Sequence, residues 1–202
     1  SAEVLKEKLI QAKKEGKLPK VVIPVHLCGQ SCEMEKIYKL SKEYGFSIIE
    51  DASHAIGGKY QGEFIGKGKY SDITVFSFHP VKIITTGEGG MAVTNNKKLA
   101  EKMSLLRSHG ITRNPKLMTC KPDGPWNYQQ IELGFNYRMT DIQAALGISQ
   151  MKRLSRYITK RHEIAHKYNQ KLKGLSIVTP HQNPDVYSTY HLYVIKLKDE
   201  AP

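Results

Sequence analysis

The sequence predicts an α/β fold with a mostly parallel sheet. Short apolar runs alternate with helical patterns along the chain, polar residues directly follow several of the runs, and glycines stand where the helical patterns stop. Parallel strands are joined by right-handed crossovers, and such sheets bind ligands beyond the carboxyl ends of their strands. The fold class therefore predicts a functional site at one edge of the sheet.

The first half of the chain supplies most of the predicted sheet. The predicted strands are VVIPV (21–25), FSIIE (46–50), ITVFSF (73–78) and GMAVT (90–94). A helix over 32–44 carries its apolar residues on one face and ends at Gly45. Glycines between 57 and 68 predict a hairpin. They do not match a dinucleotide fingerprint, because that motif needs strand, glycines and helix in immediate succession.

The second half is predicted to be mainly helical. A helix over 96–110 precedes an irregular stretch over 111–135, and Thr140 is the natural N-cap of the next helix. A basic helix follows and ends near Gly174. The alternating segment STYHLYVIKLKD (188–199) predicts one strand whose partners are not in this chain.

Charge and cysteine content narrow the choice of partners. The 202 residues carry a net charge of +12, which favours anionic partners such as phosphorylated metabolites, nucleic acid or acidic lipid. No zinc-finger or ribonucleoprotein motif supports nucleic acid, and no apolar run is long enough to cross a membrane. Three cysteines (Cys28, Cys32, Cys120) form no disulfide framework or zinc spacing, which fits a reducing cytoplasm. His162 and His166 have a metal-ligand spacing, but without a third ligand they are expected to be two exposed histidines, and no metal site is predicted.

Reactive side chains follow three predicted strands. His26 follows the first, Asp51 follows the second, and the segment from Ser77 to Lys82 follows the third. A partly buried lysine can form a Schiff base with a carbonyl, and pyridoxal phosphate (PLP) needs such a lysine together with an acidic group at its pyridine nitrogen. The turn TTGEGG (85–90) is a candidate for holding a phosphate. A solvated surface lysine in an unspecified α/β enzyme stays open as the alternative.

A family resemblance adds to this reading. The segments VHLCGQ, IIEDASHAIGG, FSFHPVKIITTGEGG, LLRSHG and GFNYRMTDIQAALG follow one another as in the nucleotide-sugar aminotransferases of the DegT/DnrJ/StrS type. That family belongs to the aspartate aminotransferase superfamily, PLP fold type I. By eye the segments most resemble the bacterial transaminases of pseudaminic acid biosynthesis.

The resemblance implies a role for each candidate residue. Lys82 would hold the PLP aldehyde and move the proton, and Asp51 would face the pyridine nitrogen. His54 stands where many relatives have glutamine, so it would contact the ring or its phenolic oxygen and could titrate there. Ser77 matches a phosphate-binding serine. Asn136 and Arg138 match a loop that reaches the neighbouring subunit's cofactor or substrate, whereas His26 and His79 are expected to support the site only.

The resemblance also implies the domain organisation and the reaction. Residues 1–150 would be the central part of the PLP-binding large domain, and 151–202 the linking helix and the start of a small α+β C-terminal domain. Relatives are nearly twice as long, so the chain is expected to be part of a larger homodimeric, cytoplasmic enzyme with shared active sites. It would transfer an amino group from L-glutamate to the C4 ketone of a UDP-linked 4-keto-6-deoxy-N-acetylhexosamine. The alternatives are another keto sugar, a sugar dehydratase, or a non-catalytic basic module; a lysine rather than a histidine at position 82 argues against the dehydratase.

Overall fold

The computed structural model of the chain describes residues 1–198. Its five α-helices are α1 (Ala2–Lys14), α2 (Met34–Tyr44), α3 (Lys97–Leu106), α4 (Asp141–Met151) and α5 (Leu154–Lys171). The strands of the first half are β1 (Val21–Val22), β2 (Ser47–Asp51), β3 (Lys59–Tyr60), β4 (Glu63–Phe64), β5 (Ile73–Ser77) and β6 (Gly90–Val93). The second half adds β7 (Ile111–Thr112), β8 (Gln129–Gln130), β9 (Ile177–Val178), β10 (Val186–Tyr187) and β11 (Lys196–Leu197).

The main sheet has the strand order β1-β2-β5-β6. Strands β1, β2 and β5 are mutually parallel, and β6 pairs antiparallel with β5. The predicted α/β class with a mostly parallel sheet is therefore confirmed. Strand β1 is shorter than predicted because Pro24 has no N–H to donate to the ladder, although Val25 still forms a parallel bridge with Asp51.

Helix α2 packs on the sheet because its apolar residues recur at helical spacing. Met34, Ile37 and Leu40 are buried in one cluster with Leu9 of α1. The helix ends at Gly45, whose φ of 77° lies in the left-handed region that glycine enters without strain. A second apolar cluster, formed by Ala52, Ala55, Phe76, Phe78 and Ile84, lies next to the residues that follow β2 and β5.

Two predictions for the second half need correction. The segment 188–199 is not one strand: of its described residues, 188–198, only Lys196–Leu197 form a strand, which pairs with β9 within this chain. Ser188 and Thr189 are instead buried, and Thr189 bonds to Gly29 and His54 of the first half. The stretch 111–135 also contains one short antiparallel pair, β7 with β8.

The predicted hairpin and helix N-terminus are both present. Strands β3 and β4 pair antiparallel within the glycine-rich region, and β10 pairs with β3 on its other side. Thr140 caps α4 through a capping box, in which its side chain accepts from the Gln143 N–H and the Gln143 side chain accepts from the Thr140 N–H. The proposed division at residue 150 stays a prediction, and residues 199–202 lie outside the described part of the chain.

Candidate active site

The carboxyl ends of the parallel strands meet at one edge, as the sequence predicted. Strand β2 ends at Asp51 and β5 ends at Ser77. The Ala52 N–H donates to the Val75 carbonyl at 2.8 Å, so the chain beyond Asp51 stays beside β5 for one more residue. We call this edge, with Asp51, His54, Ser77 and Lys82, the crevice.

Lys82 reaches the crevice in a loop whose base is closed by backbone hydrogen bonds. The Phe78 N–H donates to the Gly89 carbonyl at 2.8 Å, and the Thr86 N–H donates to the Phe78 carbonyl at 3.0 Å. Buried Ile83 and Ile84 anchor the loop beside Lys82. The lysine itself is half-buried, and no ion pair or hydrogen bond engages its Nζ among residues 1–198. The structure therefore presents a partly shielded amine without a carboxylate partner.

Asp51 is an ionised carboxylate close to that amine. Burial is the largest single effect and would raise the pKa of Asp51, but the hydrogen bonds from Ser53, including its N–H to Oδ1 at 3.0 Å, act together with nearby positive charges and lower the pKa below its usual value. The charge of Lys82 acts in the same direction, as does that of His54 whenever its ring is protonated. Asp51 can therefore hold a positive charge in the crevice at neutral pH.

His54 is held in one tautomer by the backbone. Its Nδ1 accepts the Cys28 N–H at 3.3 Å, which leaves Nε2 to carry the proton of the neutral ring. Burial lowers the pKa of His54, and the positive charge of Lys82 lowers it further, against the opposing effect of Asp51. The imidazole that the sequence led us to expect as a titrating group is thus held in its neutral form.

Ser77 and the TTGEGG turn were both predicted to bind phosphate, and the structure gives them different surroundings. Ser77 lies at the crevice, where its Oγ accepts the His79 N–H at 3.4 Å and its own O–H has no acceptor among the described residues. The threonines of the TTGEGG turn are already used: Thr85 donates to the Phe78 carbonyl at 2.9 Å, and Thr86 donates to the Glu88 carbonyl at 2.7 Å. The turn packs on α4, so its threonines hold the loop instead of presenting hydroxyls to a phosphate.

Asn136 and Arg138 lie in a separate exposed segment. Asn136 forms an isolated bridge with Ser108, and Arg138 lies 3.5 Å from His109 Nε2. Among residues 1–198, no hydrogen bond or ion pair joins either side chain to Asp51, His54 or Lys82. Their predicted reach toward a neighbouring subunit stays a prediction.

The other histidines have structural surroundings. His26 is fully buried, donates from Nε2 to Glu50 at 2.7 Å and accepts the Cys32 N–H at Nδ1. His79 is half-exposed and lies 3.8 Å from the Glu88 carboxylate. The expectation that His162 is exposed is wrong, because its ring stacks on Tyr187 at 4.4 Å and its Nε2 donates to the Ser188 carbonyl.

Metal and membrane sites find no support in the described residues. Over residues 1–198, no group of three or more histidine, cysteine or acidic side chains is arranged to hold a metal ion. None of the helices in that part of the chain combines the length and apolarity needed to span a bilayer.

Sequence reasoning missed a segment that joins the crevice from far along the chain. The His191 ring packs against the His54 ring at a tilt of 34° with centroids 4.4 Å apart, and its buried Nδ1 has no hydrogen-bond partner among the described residues. Thr189 Oγ1 donates to the His54 carbonyl at 2.7 Å. The available signal was the run of consecutive polar residues in STYH, which interrupts the alternation expected of a strand.

An ionised carboxylate and an unpaired amine at the carboxyl edge of a parallel sheet are the two groups that PLP chemistry in an α/β domain requires. The chain belongs to the DegT/DnrJ/EryC1/StrS aminotransferase family, whose profile matches residues 3–202.

Named relatives of the chain act on different sugars. It is 40% identical to the UDP-4-amino-4,6-dideoxy-N-acetyl-beta-L-altrosamine transaminase of Campylobacter jejuni (serotype O:2), over 96% of this chain and 50% of the relative. It is 38% identical to the GDP-perosamine synthase of Caulobacter vibrioides, over 88% of this chain and 45% of the relative. The chain thus spans about half the length of these curated relatives.

Solved structures share the fold. The Helicobacter pylori aminotransferase involved in the biosynthesis of pseudoaminic acid superposes with a TM-score of 0.80 at 36% identity, covering 90% of this chain and 46% of that one. A Streptococcus pneumoniae protein named as a sugar aminotransferase, in its PLP form, superposes with a TM-score of 0.75 at 28% identity, covering 89% of this chain and 48% of that one.

Proposed function

We propose that this chain carries the cofactor-binding crevice of a PLP-dependent aminotransferase that acts on a nucleotide-linked keto sugar. The observation that carries the proposal is the convergence of Lys82, an amine without an ion-pair partner among the described residues, with ionised Asp51 at the carboxyl edge of the sheet. The family membership and the PLP form of a structural neighbour support the same cofactor.

The residues present fit PLP. Asp51 would face the protonated pyridine nitrogen, Lys82 would bind the aldehyde, and Ser77 would donate to the phosphate. His54, with its proton on Nε2, would donate to the ring's phenolic oxygen. When bound, PLP supplies an electron sink for the electron pair released as an amino acid loses its α-proton.

Lys82 would also do the acid–base work. In its uncharged form, the amine of Lys82 would accept a proton from the amino-acid α-carbon and return it at a neighbouring atom. Asp51 remains a carboxylate throughout, because its hydrogen bond from Ser53 stabilises the charged form.

The amino acceptor we propose is the C4 ketone of a UDP-linked 4-keto-6-deoxy-N-acetylhexosamine, with L-glutamate as the donor. The 40% identity to a UDP-altrosamine transaminase over nearly the whole chain supports this sugar class. The product would enter pseudaminic acid or related surface-glycan biosynthesis in the cytoplasm. The net charge of +12 suits a diphosphate-bearing substrate.

A GDP-linked keto sugar is a second candidate, favoured by the 38% identity to a GDP-perosamine synthase. Incubating the purified protein with PLP, glutamate and a panel of UDP- and GDP-linked 4-keto sugars, followed by mass spectrometry, separates the two. We expect the UDP N-acetyl sugar to gain an amine. Amination of the GDP sugar alone would replace the substrate assignment, and amination of neither would remove it.

We propose a homodimer whose subunits meet through the segment over 126–148. Large apolar side chains are exposed there to an extent unusual for a solvated surface: Trp126 (72%), Leu133 (88%), Tyr137 (74%), Ile142 (85%) and Ile148 (64%). Asn136 and Arg138 lie in the same segment and would reach the partner's crevice. Light scattering should give twice the monomer mass, and Ile142→Glu should halve it; a monomeric parent protein would contradict the proposal.

A further inference from the structure

We propose that His191 is a positioning residue, whose ring holds His54 in one orientation and one tautomer, so that His54 Nε2–H is a fixed hydrogen-bond donor in the crevice. The role of that donor toward a cofactor rests on the proposed function. The arrangement of the two rings stands on the geometry of the chain alone.

Two contacts fix His54 from the C-terminal segment. The His191 ring lies against the His54 ring with centroids 4.4 Å apart and planes 34° apart, and His191 is only 9% exposed. Thr189 holds the backbone at the same place, since its Oγ1 donates to the His54 carbonyl at 2.7 Å and its N–H donates to the Gly29 carbonyl at 3.0 Å. Side chain and backbone of His54 are therefore both restrained by the segment 189–191.

Gly29 shows how closely this segment approaches. A Cβ placed on Gly29 would lie 2.1 Å from Thr189 Oγ1, 3.0 Å from the His54 carbonyl oxygen and 3.1 Å from the backbone nitrogen of His191. The φ of Gly29 is 97°, which other residues rarely adopt. Glycine is thus required where the His191 segment lies over the crevice.

The Cys28 amide fixes the tautomer. An N–H can donate to His54 Nδ1 only while that nitrogen carries no proton, so protonation of His54 would break this bond. The His191 ring covers one face of His54, which removes water that would otherwise stabilise an imidazolium. Both contacts favour the neutral ring with its proton on Nε2.

The charged groups around the two rings act mostly in the same direction. Lys82 lowers the pKa of His54, whereas Asp51 raises it, and burial keeps the Cys28 thiol protonated by raising its pKa. For His191, burial is the largest effect, and the charge of His54 when protonated and the charges of Lys82 and Arg161 add to it, which lowers the pKa to about 4. His191 is therefore an uncharged aromatic ring at neutral pH. It carries no negative charge that would stabilise a protonated His54.

With its proton fixed on Nε2, His54 donates a hydrogen bond that does not change with pH, as an amide N–H does. An isolated imidazole has a pKa near 6.5 and would change from neutral donor to cation within the physiological range. Covered by His191 and bonded by the Cys28 amide, the His54 ring keeps a single donor pattern through that range. His191 thus keeps the His54 Nε2–H available as a hydrogen-bond donor throughout this pH range, although His191 need not touch a substrate.

The test is ¹⁵N NMR of the imidazoles in cofactor-free protein between pH 5 and 8. In the parent protein we expect His54 to show the Nε2–H tautomer and a pKa below 6.5. His191→Phe keeps an aromatic plate and should preserve both, whereas His191→Ala should raise the His54 pKa by roughly half a unit or more and mix the tautomers. His166→Ala, which alters an exposed histidine of α5, is the matched control and should change neither.

The outcomes are separable from the proposed function. A His54 that carries its proton on Nδ1 in the parent protein overturns the inference without any variant, so a poorly folded His191→Ala protein does not block the test. Equal His54 titration in the Phe and Ala variants would overturn it as well. If added PLP produces no absorbance change in the parent protein, the proposed cofactor fails, while the NMR result still decides the role of His191.

Discussion

Lys82 differs from the ion-paired lysines of the chain in its exposure and its electrostatic surroundings. Several lysines are exposed and paired with glutamates, among them Lys36, Lys39, Lys67 and Lys160. Such pairs contribute little to stability in water, typically below about 1 kcal/mol. Lys82 is half-buried, and within residues 1–198 no carboxylate lies in an ion pair with it. Its conformation therefore leaves the amine available for chemistry.

Replacing Lys82 should remove activity without unfolding the protein. Lys82→Ala deletes the amine but no ion pair or hydrogen bond of the described chain, so we expect the PLP absorbance band to disappear and transamination to fall by at least about 10³-fold. The urea midpoint should stay close to that of the parent protein. Lys160→Ala, an exposed lysine, is the control and should keep both band and rate. An active Lys82→Ala protein would exclude the amine from the mechanism.

Thr189 should matter for stability because it is fully buried and satisfies the His54 carbonyl. Thr189→Val keeps the shape but removes the donor, so the free energy of unfolding should fall by about 1–3 kcal/mol. Urea denaturation measures this. Thr159→Val removes an exposed hydroxyl of α5, which donates to its own helix, and should cost much less. Equal losses in the two variants would mean that the His54 carbonyl finds another partner.

At the scale of elements, local patterns predicted the strands and helices where their causes are local. Apolar runs located β2, β5 and β6, and Gly45 located the end of α2, since strand burial and left-handed glycines depend on neighbouring residues. The 188–191 segment was not predictable in this way. Its contacts with His54 join residues 135 positions apart, and no local periodicity encodes such a pairing.

The same distance explains which part of the candidate site sequence reasoning found. Asp51 and Ser77 end β2 and β5, and His54 and Lys82 lie a few residues beyond them, so the topology of a parallel sheet brings the four together. His191 lies on irregular backbone and reaches the crevice only through tertiary packing. The fixed tautomer of His54 was equally hidden, because it depends on a backbone amide rather than on a side chain.

The end of α2 offers a test of a single conformational requirement. A Cβ on Gly45 would meet nothing within 4 Å, so Gly45→Ala should cost only the strain of a left-handed alanine, about 1 kcal/mol. Thermal or urea unfolding measures the loss. Gly45→Asn should cost less, because asparagine tolerates this region better. A larger loss for Asn than for Ala would contradict the conformational explanation.

At the scale of the whole molecule, acid stability should depend on His191. Its pKa in the folded protein is about 4, below the 6.5 of an ordinary imidazole, so the unfolded chain binds the additional proton between these values. The contribution to stability is complete above pH 6.5 and is lost as the pH falls towards 4. It amounts to on the order of 1–3 kcal/mol.

Urea unfolding of the parent protein and of His191→Phe at pH 7, 6, 5 and 4.5 measures this contribution. The difference in the free energy of unfolding between the two proteins should shift in favour of the Phe variant as the pH falls. His166→Ala should follow the parent curve. Parallel curves for the parent and the Phe variant would show that His191 takes up no proton on unfolding.

The contact of Thr189 with Gly29 and His54 has a consequence for anyone who exchanges parts between these enzymes. A chimera cut after residue 150 would combine a crevice from one parent with the segment that covers it from another. In such a hybrid, the contacts within the site would join residues from two different parents, although the breakpoint lies in a helix far along the chain. A chimera should therefore take its four contacting residues from the same parent: Gly29, His54, Thr189 and His191.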